Sequence, residues 1–219
     1  MAERFPPPDP QALLTILSTE HFTLQGARGS TVAESSARAA LYVGAVSSAL
    51  IALGFIAQAS KLGTAFDAFA LVALPTLYAL GVFTFVRLVE SSVESLLYGR
   101  AINRIRAYYR QLAGREARYL LLTGHDDLPG VLANMGVLRP SRWGLFFTLA
   151  AMIGTLNSVV GGTAVALLAG RVFGASLGVA ATAGGVAATA SAFAHSHWQR
   201  EHHAEASDST APMFPSPPS

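Results

Sequence analysis

The chain has 219 residues, of which 52% are hydrophobic and only 13% charged, with a mean hydropathy of +0.42. Soluble domains carry about 25% charged residues, and disordered chains lack apolar ones, so this balance excludes an ordinary soluble enzyme and a disordered chain and leaves a small multi-pass membrane protein. The absence of Cys excludes disulfides, thiolate metal sites and Cys nucleophiles, and a formal net charge of +2 is too small to mark a nucleic-acid binder.

Residues 1–38 read as a cytoplasmic N-terminal segment. Met1–Gln11 is Pro-rich and contains acids, without the basic and then apolar regions of a cleaved signal peptide, so membrane targeting falls to an internal segment. Asp9-Pro10 predicts a helix start with Pro in the first turn. Leu13, Leu14, Ile16, Leu17 and Leu24 give a short amphipathic helix, which Gly26 and Gly29 end. Thr31-x-x-Glu34 then reads as a capping box that opens a second helix, with Glu34 and Arg38 placed as an i, i+4 ion pair.

A bilayer-spanning helix takes about 20 mostly apolar residues. Residues 39–86 hold two such stretches, Ala39–Ser60 and Ala68–Val86, the latter containing Pro75. Residues 143–194 hold two more, Trp143–Ala169 and Val172–Ala194. The last is rich in Ala, Gly, Thr and Ser and inserts only marginally on its own. Backbone polar groups in hydrocarbon must satisfy one another, so the spans are helices.

Basic residues set the orientation. Thirteen of the fifteen fall before the first span, between the second and third, or after the fourth, whereas only Lys61 and Arg171 lie in the other loops. The positive-inside rule therefore places both termini and the middle segment in the cytoplasm, with short outer loops.

The middle segment, residues 87–142, is Arg-rich. Val89, Val93, Leu97, Ala101, Ile105, Tyr108 and Leu112 recur at helical spacing and predict a long helix continuing from the second span, interrupted at Gly114. Arg100, Arg104, Arg106 and Arg110 form rows away from that face. They suit phosphate or another anionic ligand, but more simply they meet the anionic inner leaflet and set topology. An apolar run resumes at Tyr119–Thr123, Gly124 closes it, Asp127 with Pro129 opens a short helix, and Gly136 closes that one. His125, Asp126 and Asp127 are suitable cation ligands, but three adjacent residues rarely converge on one ion, and the sequence reads them mainly as turn and cap. Arg139, Arg142 and Trp143 lead back into the membrane.

No spacing assembles a nucleophile, a base and an oxyanion donor, so the chain reads as a non-enzyme without a cofactor. The span centres carry no ionisable residue, which argues against a proton-coupled carrier. Their polar groups, Thr155, Asn157 and Ser158 with Ser47, Ser48 and Thr182, either glue helices or line a pore. Gly154-xxx-Ser158-xxx-Gly162, Gly174-xxx-Gly178 and Gly44-xxx-Ser48 are spacings that permit close helix approach, within the chain or between copies. Residues 195–219 are polar and Pro/Ser-rich and read as a disordered cytoplasmic tail.

At Thr19-Glu-His-Phe-Thr-Leu-Gln25, Glu34-Ser-Ser-Ala-Arg38, Ile102-Asn-Arg-Ile-Arg-Ala-Tyr-Tyr109 and His125-Asp-Asp-Leu-Pro-Gly-Val-Leu-Ala-Asn-Met-Gly136, the chain resembles a group of uncharacterised integral membrane proteins of high-GC actinobacteria. The resemblance implies a bacterial plasma membrane and brings no catalytic or binding residues with it.

The expected fold is therefore all-α: a multi-pass bundle of four transmembrane helices with a small cytoplasmic helical module. Two functions fit. One is a homo-oligomeric channel or pore-like assembly gated by its cytoplasmic helices. The other is a non-conducting membrane-anchored scaffold that recruits a cytoplasmic protein or anionic ligand through the Arg-rich segment. In both the constant partner is the lipid bilayer, and nucleic acid is not a partner.

Overall fold

In the computed structural model, residues 9–137, 148–208 and 211–217 are described. They form helices α1 (Pro10–Ser60), α2 (Thr64–Ala113), α3 (Leu128–Asn134), α4 (Leu149–Arg171) and α5 (Leu177–Asp208), with one 3₁₀ turn at Gly114–Tyr119. Among the described residues there is no strand. Four helices, α1, α2, α4 and α5, are long and apolar enough to cross a membrane. At about 1.5 Å per residue, the 51 residues of α1 and the 50 of α2 each extend about 75 Å, more than twice a hydrocarbon core of about 30 Å.

The chain divides into two compact units. The apolar unit comprises Ala33–Ser92 and Ser141–Glu205. From α1 it buries Ala39, Tyr42, Val46 and Leu53, and from α2 Ala70, Leu74, Leu77, Phe85 and Leu88, so each helix turns one face inward at spacings of three, four, seven and eight. Ile153 and Val160 of α4 complete that core. The opposite faces are also apolar: Phe55 is 68% exposed, Phe83 74% and Phe193 65%. Helices apolar on all sides are those of a large core or of a membrane span.

The ends of this unit are tied by polar contacts. Arg171 pairs with Asp67 at 3.2 Å and donates to the Leu62 carbonyl at 3.2 Å. The α1–α2 connection is only Lys61-Leu62-Gly63, with Lys61 and Leu62 at positive φ. Elsewhere Glu34 lies between Arg38 at 2.8 Å and Arg87 at 3.7 Å. The Arg38 guanidinium, through its hydrogen bond and its charge, holds the Glu34 carboxyl below its ordinary value.

The arginine-rich unit comprises Met1–Val32, Val93–Pro140 and Ala206–Ser219. Its first part is α1 from Pro10, where Asp9 accepts from the Ala12 amide at 3.3 Å, as the Asp-Pro start predicts. The expected break at Gly26 and Gly29 and the capping box at Thr31 do not occur, because α1 is continuous. Thr31 is buried and donates back to the Ala27 carbonyl at 3.1 Å, so its hydroxyl serves the helix interior. Glycine in a helix costs only about 1 kcal/mol, and Gly26 and Gly29 sit at exposed positions within α1. Gly114, at φ +53, ends α2 as its position predicts.

The buried stripe of α2 differs from the expected one. Leu97 and Leu112 are exposed, whereas Leu96, Gly99, Arg100, Ile102, Asn103, Ile105 and Ala107 are buried. Glycine and polar side chains create this face. A Cβ at Gly99 would lie 2.7 Å from Val131, so α3 packs where only hydrogen fits. Gly124 likewise lies over Ala107, where a Cβ would stand 2.7 Å from the Ala107 Cα. Residues 120–127 are not helical, and Leu121 is 94% exposed. The short helix at Asp127 forms as read: Asp127 accepts from the Gly130 amide at 2.9 Å, and Gly136 adopts φ +83.

The third expected span starts later, at Leu149, capped by Thr148, which accepts from the Ala151 amide at 3.2 Å. Arg139, Arg142 and Trp143 lie outside the described residues. The fourth runs from Leu177 well past its expected end, to Asp208. The expected disordered tail is thus helical over its first part, and residues 211–217 are held by hydrogen bonds described below.

Candidate functional site

In the apolar unit Asn157 and Ser158 are buried between helices, whereas Ser47, Ser48, Thr155 and Thr182 are exposed. Asn157 and Tyr42 are both fully buried, and the Tyr42 hydroxyl donates to Asn157 Oδ1 at 2.9 Å. The pair presses on Gly81, where a Cβ would collide with both side chains. Ser158 donates to the Gly154 carbonyl at 2.7 Å and lies 3.2 Å from Ser191 Oγ, which in turn meets the Tyr78 hydroxyl at 3.1 Å. A Cβ at Gly154 would touch Phe85 and His195 at 3.1–3.3 Å, and one at Gly162 would stand 2.6 Å from the Gly184 carbonyl oxygen. These four predicted residues do pack helices.

Gly174 and Gly178 do not. Gly174 sits at φ +67 in the α4–α5 connection, and a Cβ at either meets nothing within 4 Å. Gly44 is open in the same way. Spacing alone could not separate inward from outward glycines, since both repeat every fourth residue.

In the arginine-rich unit the four predicted arginines part company. Arg100 is buried and donates to the Ala206 and Ser207 carbonyls at 3.4 and 3.1 Å, at the C-terminal end of α5. A cation there satisfies carbonyls that lack helical partners. Arg104 donates to Asp126 Oδ2 at 2.7 Å and to the Ala211 carbonyl at 3.2 Å. Arg106 and Arg110 take no acidic partner among the described residues. Arg106 donates to Asn103 Oδ1 at 3.1 Å, and Arg110 to the Leu120 carbonyl at 2.6 Å.

His125, Asp126 and Asp127 do not converge as metal ligands. The His125 carbonyl accepts from Asn103 Nδ2 at 2.7 Å. Asp126 is fully buried and grips the C-terminal segment: it accepts from the Met213 and Phe214 amides at 3.0 and 2.7 Å, beside Arg104, while its own amide donates to the Phe214 carbonyl at 3.1 Å. Asp127 accepts from the Ser216 amide at 2.6 Å and hydroxyl at 2.8 Å. Burial alone would raise both carboxyls. The Met213, Phe214 and Arg104 donors outweigh it at Asp126, the Ser216 and Gly130 donors at Asp127, and both are held below their ordinary value. Phe214 borders an open groove of about 360 Å³ that Ala107, Arg110, Gly124 and His125 also line.

Three contributors escaped sequence reasoning. Asn103, 2% exposed, joins α2 to the segment around α3: its Oδ1 accepts from both Arg106 and Asn134, and Asn134 also bridges both sides of Thr123. Arg28 of α1 donates to Ser95 Oγ of α2 at 3.2 Å, and its Cζ lies over Gly99. A polar residue inside a buried helical face was the one signal available for Asn103; nothing local marked Asn134 or Arg28.

Fold and site together define a class: an all-helical chain with four candidate membrane-spanning helices and an arginine-rich helical unit that binds its own C-terminal segment. No protein-family model, curated protein or solved structure matches the chain.

Proposed function

We propose that the protein is a non-enzymatic multi-pass protein of a bacterial inner membrane, a non-conducting anchor whose arginine-rich cytoplasmic unit recruits partners. The burial of Asn157 against Tyr42 carries this reading. A water-filled pore needs polar groups facing its lumen, whereas Asn157 here is buried inside one chain with its Oδ1 bonded to Tyr42. Both termini lie in the cytoplasm by the distribution of Arg.

A second reading, a homo-oligomeric channel gated by the cytoplasmic helices, draws on the outer face of α5. There Leu177, Val179, Val186 and Phe193 are exposed, and Gly178 and Gly185 have open space. Such a face admits a second copy.

The Cys-free chain permits a direct test. Asn157→Cys in intact membranes should resist a water-soluble maleimide and react only after denaturation. Ser176→Cys should label from outside and Gln111→Cys only after permeabilisation. Labelling of position 157 from water would favour the pore, and reversed sidedness would overturn the orientation.

A further inference from the structure

We propose that Arg28, Arg106 and Arg110 form a binding site for a phosphate-bearing anion, an inference that rests on the arginine-rich unit being the recruiting face. Arg106 and Arg110 are one turn apart on α2, and Arg28 reaches across from α1 to the same face, along Ser95 and Gly99. All three are partly buried.

Each guanidinium spends only part of its donor set. Arg28 uses Nε on Ser95, Arg106 uses Nη1 on Asn103, and Arg110 uses Nη1 on the Leu120 and Leu122 carbonyls. Among the described residues the remaining nitrogens have no acceptor. Among the described residues, four acids of this unit are engaged elsewhere: Asp126 with Arg104 and the C-terminal segment, Asp127 with Ser216, Glu94 with Tyr98 and Glu116 with Arg118. Asp9 and Glu20 are exposed and make no ion pair with the three.

The electrostatics agree with the geometry. Burial lowers the affinity of Arg28 and Arg106 for their protons, and the charges of Arg110 and Arg28 lower that of Arg106 further. Burial and then the Arg106 charge also depress His21. Arginine stays charged, so the repulsion persists in the folded unit. A tetrahedral phosphate anion with several acceptor oxygens relieves it best, because guanidinium forks match phosphate oxygens. A soluble phosphate compound and a lipid headgroup share that chemistry.

The test uses the full chain in nanodiscs of phosphatidylcholine, melted at constant ionic strength in chloride or in inorganic pyrophosphate. We expect a saturable rise of about 4 °C or more at pyrophosphate well above its Kd. Arg28→Gln and Arg106→Gln should abolish the rise while melting in chloride no lower than the parent, since each removes a repulsion. Arg118→Gln, at an exposed position paired with Glu116, should keep it. A rise that appears only when phosphatidylglycerol replaces part of the lipid, with the same variant sensitivity, assigns the site to a headgroup and upholds the proposal. No variant-sensitive rise in either arm overturns it, as does a rise seen only with a polyglutamate peptide. Failure here leaves the non-conducting reading standing, because neither arm measures conduction.

Discussion

Asp126→Asn should release the C-terminal segment. The native carboxylate is fully buried and receives Arg104 Nε and the Met213 amide on Oδ2 and the Phe214 amide on Oδ1. An Asn side chain that keeps oxygen toward Arg104 turns its NH2 toward the Phe214 N–H, so a charge-assisted bond becomes a donor–donor clash. A hydrogen bond to a charged group is worth about 1.5–3 kcal/mol. The Arg104 side chain is 38% exposed, so solvent screening limits the lost ion pair to about 1 kcal/mol or less. Together these give about 1.5–4 kcal/mol, or roughly a 10- to 700-fold shift toward the released segment at about 1.4 kcal/mol per tenfold. Hydrogen exchange of the C-terminal peptide, read by mass spectrometry, should accelerate by that factor at the Met213 and Phe214 amides. Unchanged protection would refute the claim that this carboxylate holds the segment.

Acid should reproduce the effect. The docked Asp126 and Asp127 have pKa values below the ordinary 3.8, so their contribution to docking is fully present above that value and is lost as pH falls through the docked values; protection that persists in strong acid would contradict this. Gly162→Leu should destabilise α4–α5 packing by about 1–3 kcal/mol through overpacking, whereas Gly178→Leu, placed in open space, should not; comparable melting of the two would refute the assignment. Tyr42→Phe should cost about 0.6–1.7 kcal/mol, the range for hydrogen bonds between membrane helices, in SDS-induced unfolding, and no cost would remove the Asn157 bond from the account.

Local chemistry was legible in the sequence where one residue type has one physical use. The apolar runs marked four helices long enough to span, Asp9-Pro10 and Asp127-x-Pro129 marked helix starts, and Gly114 and Gly136 marked ends. Gly26 and Gly29 misled because a helix-breaking preference of about 1 kcal/mol each does not interrupt a continuous 51-residue helix. The site was less legible, since its pairings cross the chain: Asp126 to Phe214, Arg28 to Ser95, Asn103 to Asn134. The Pro/Ser composition of 211–217 gave no sign of its docking, because backbone amides, which every residue but Pro carries, make most of the bonds. Arg100 and Arg106 looked alike as rows on a helix, yet one meets carbonyls at a helix end and the other meets further cations.

Ion flux from liposomes reconstituted with the purified protein separates buried polar groups that hold helices together, Asn157 and Ser158, from a path for solute. Flux no greater than that of protein-free liposomes is expected. Flux well above that background, abolished by Asn157→Leu, would contradict that packing role.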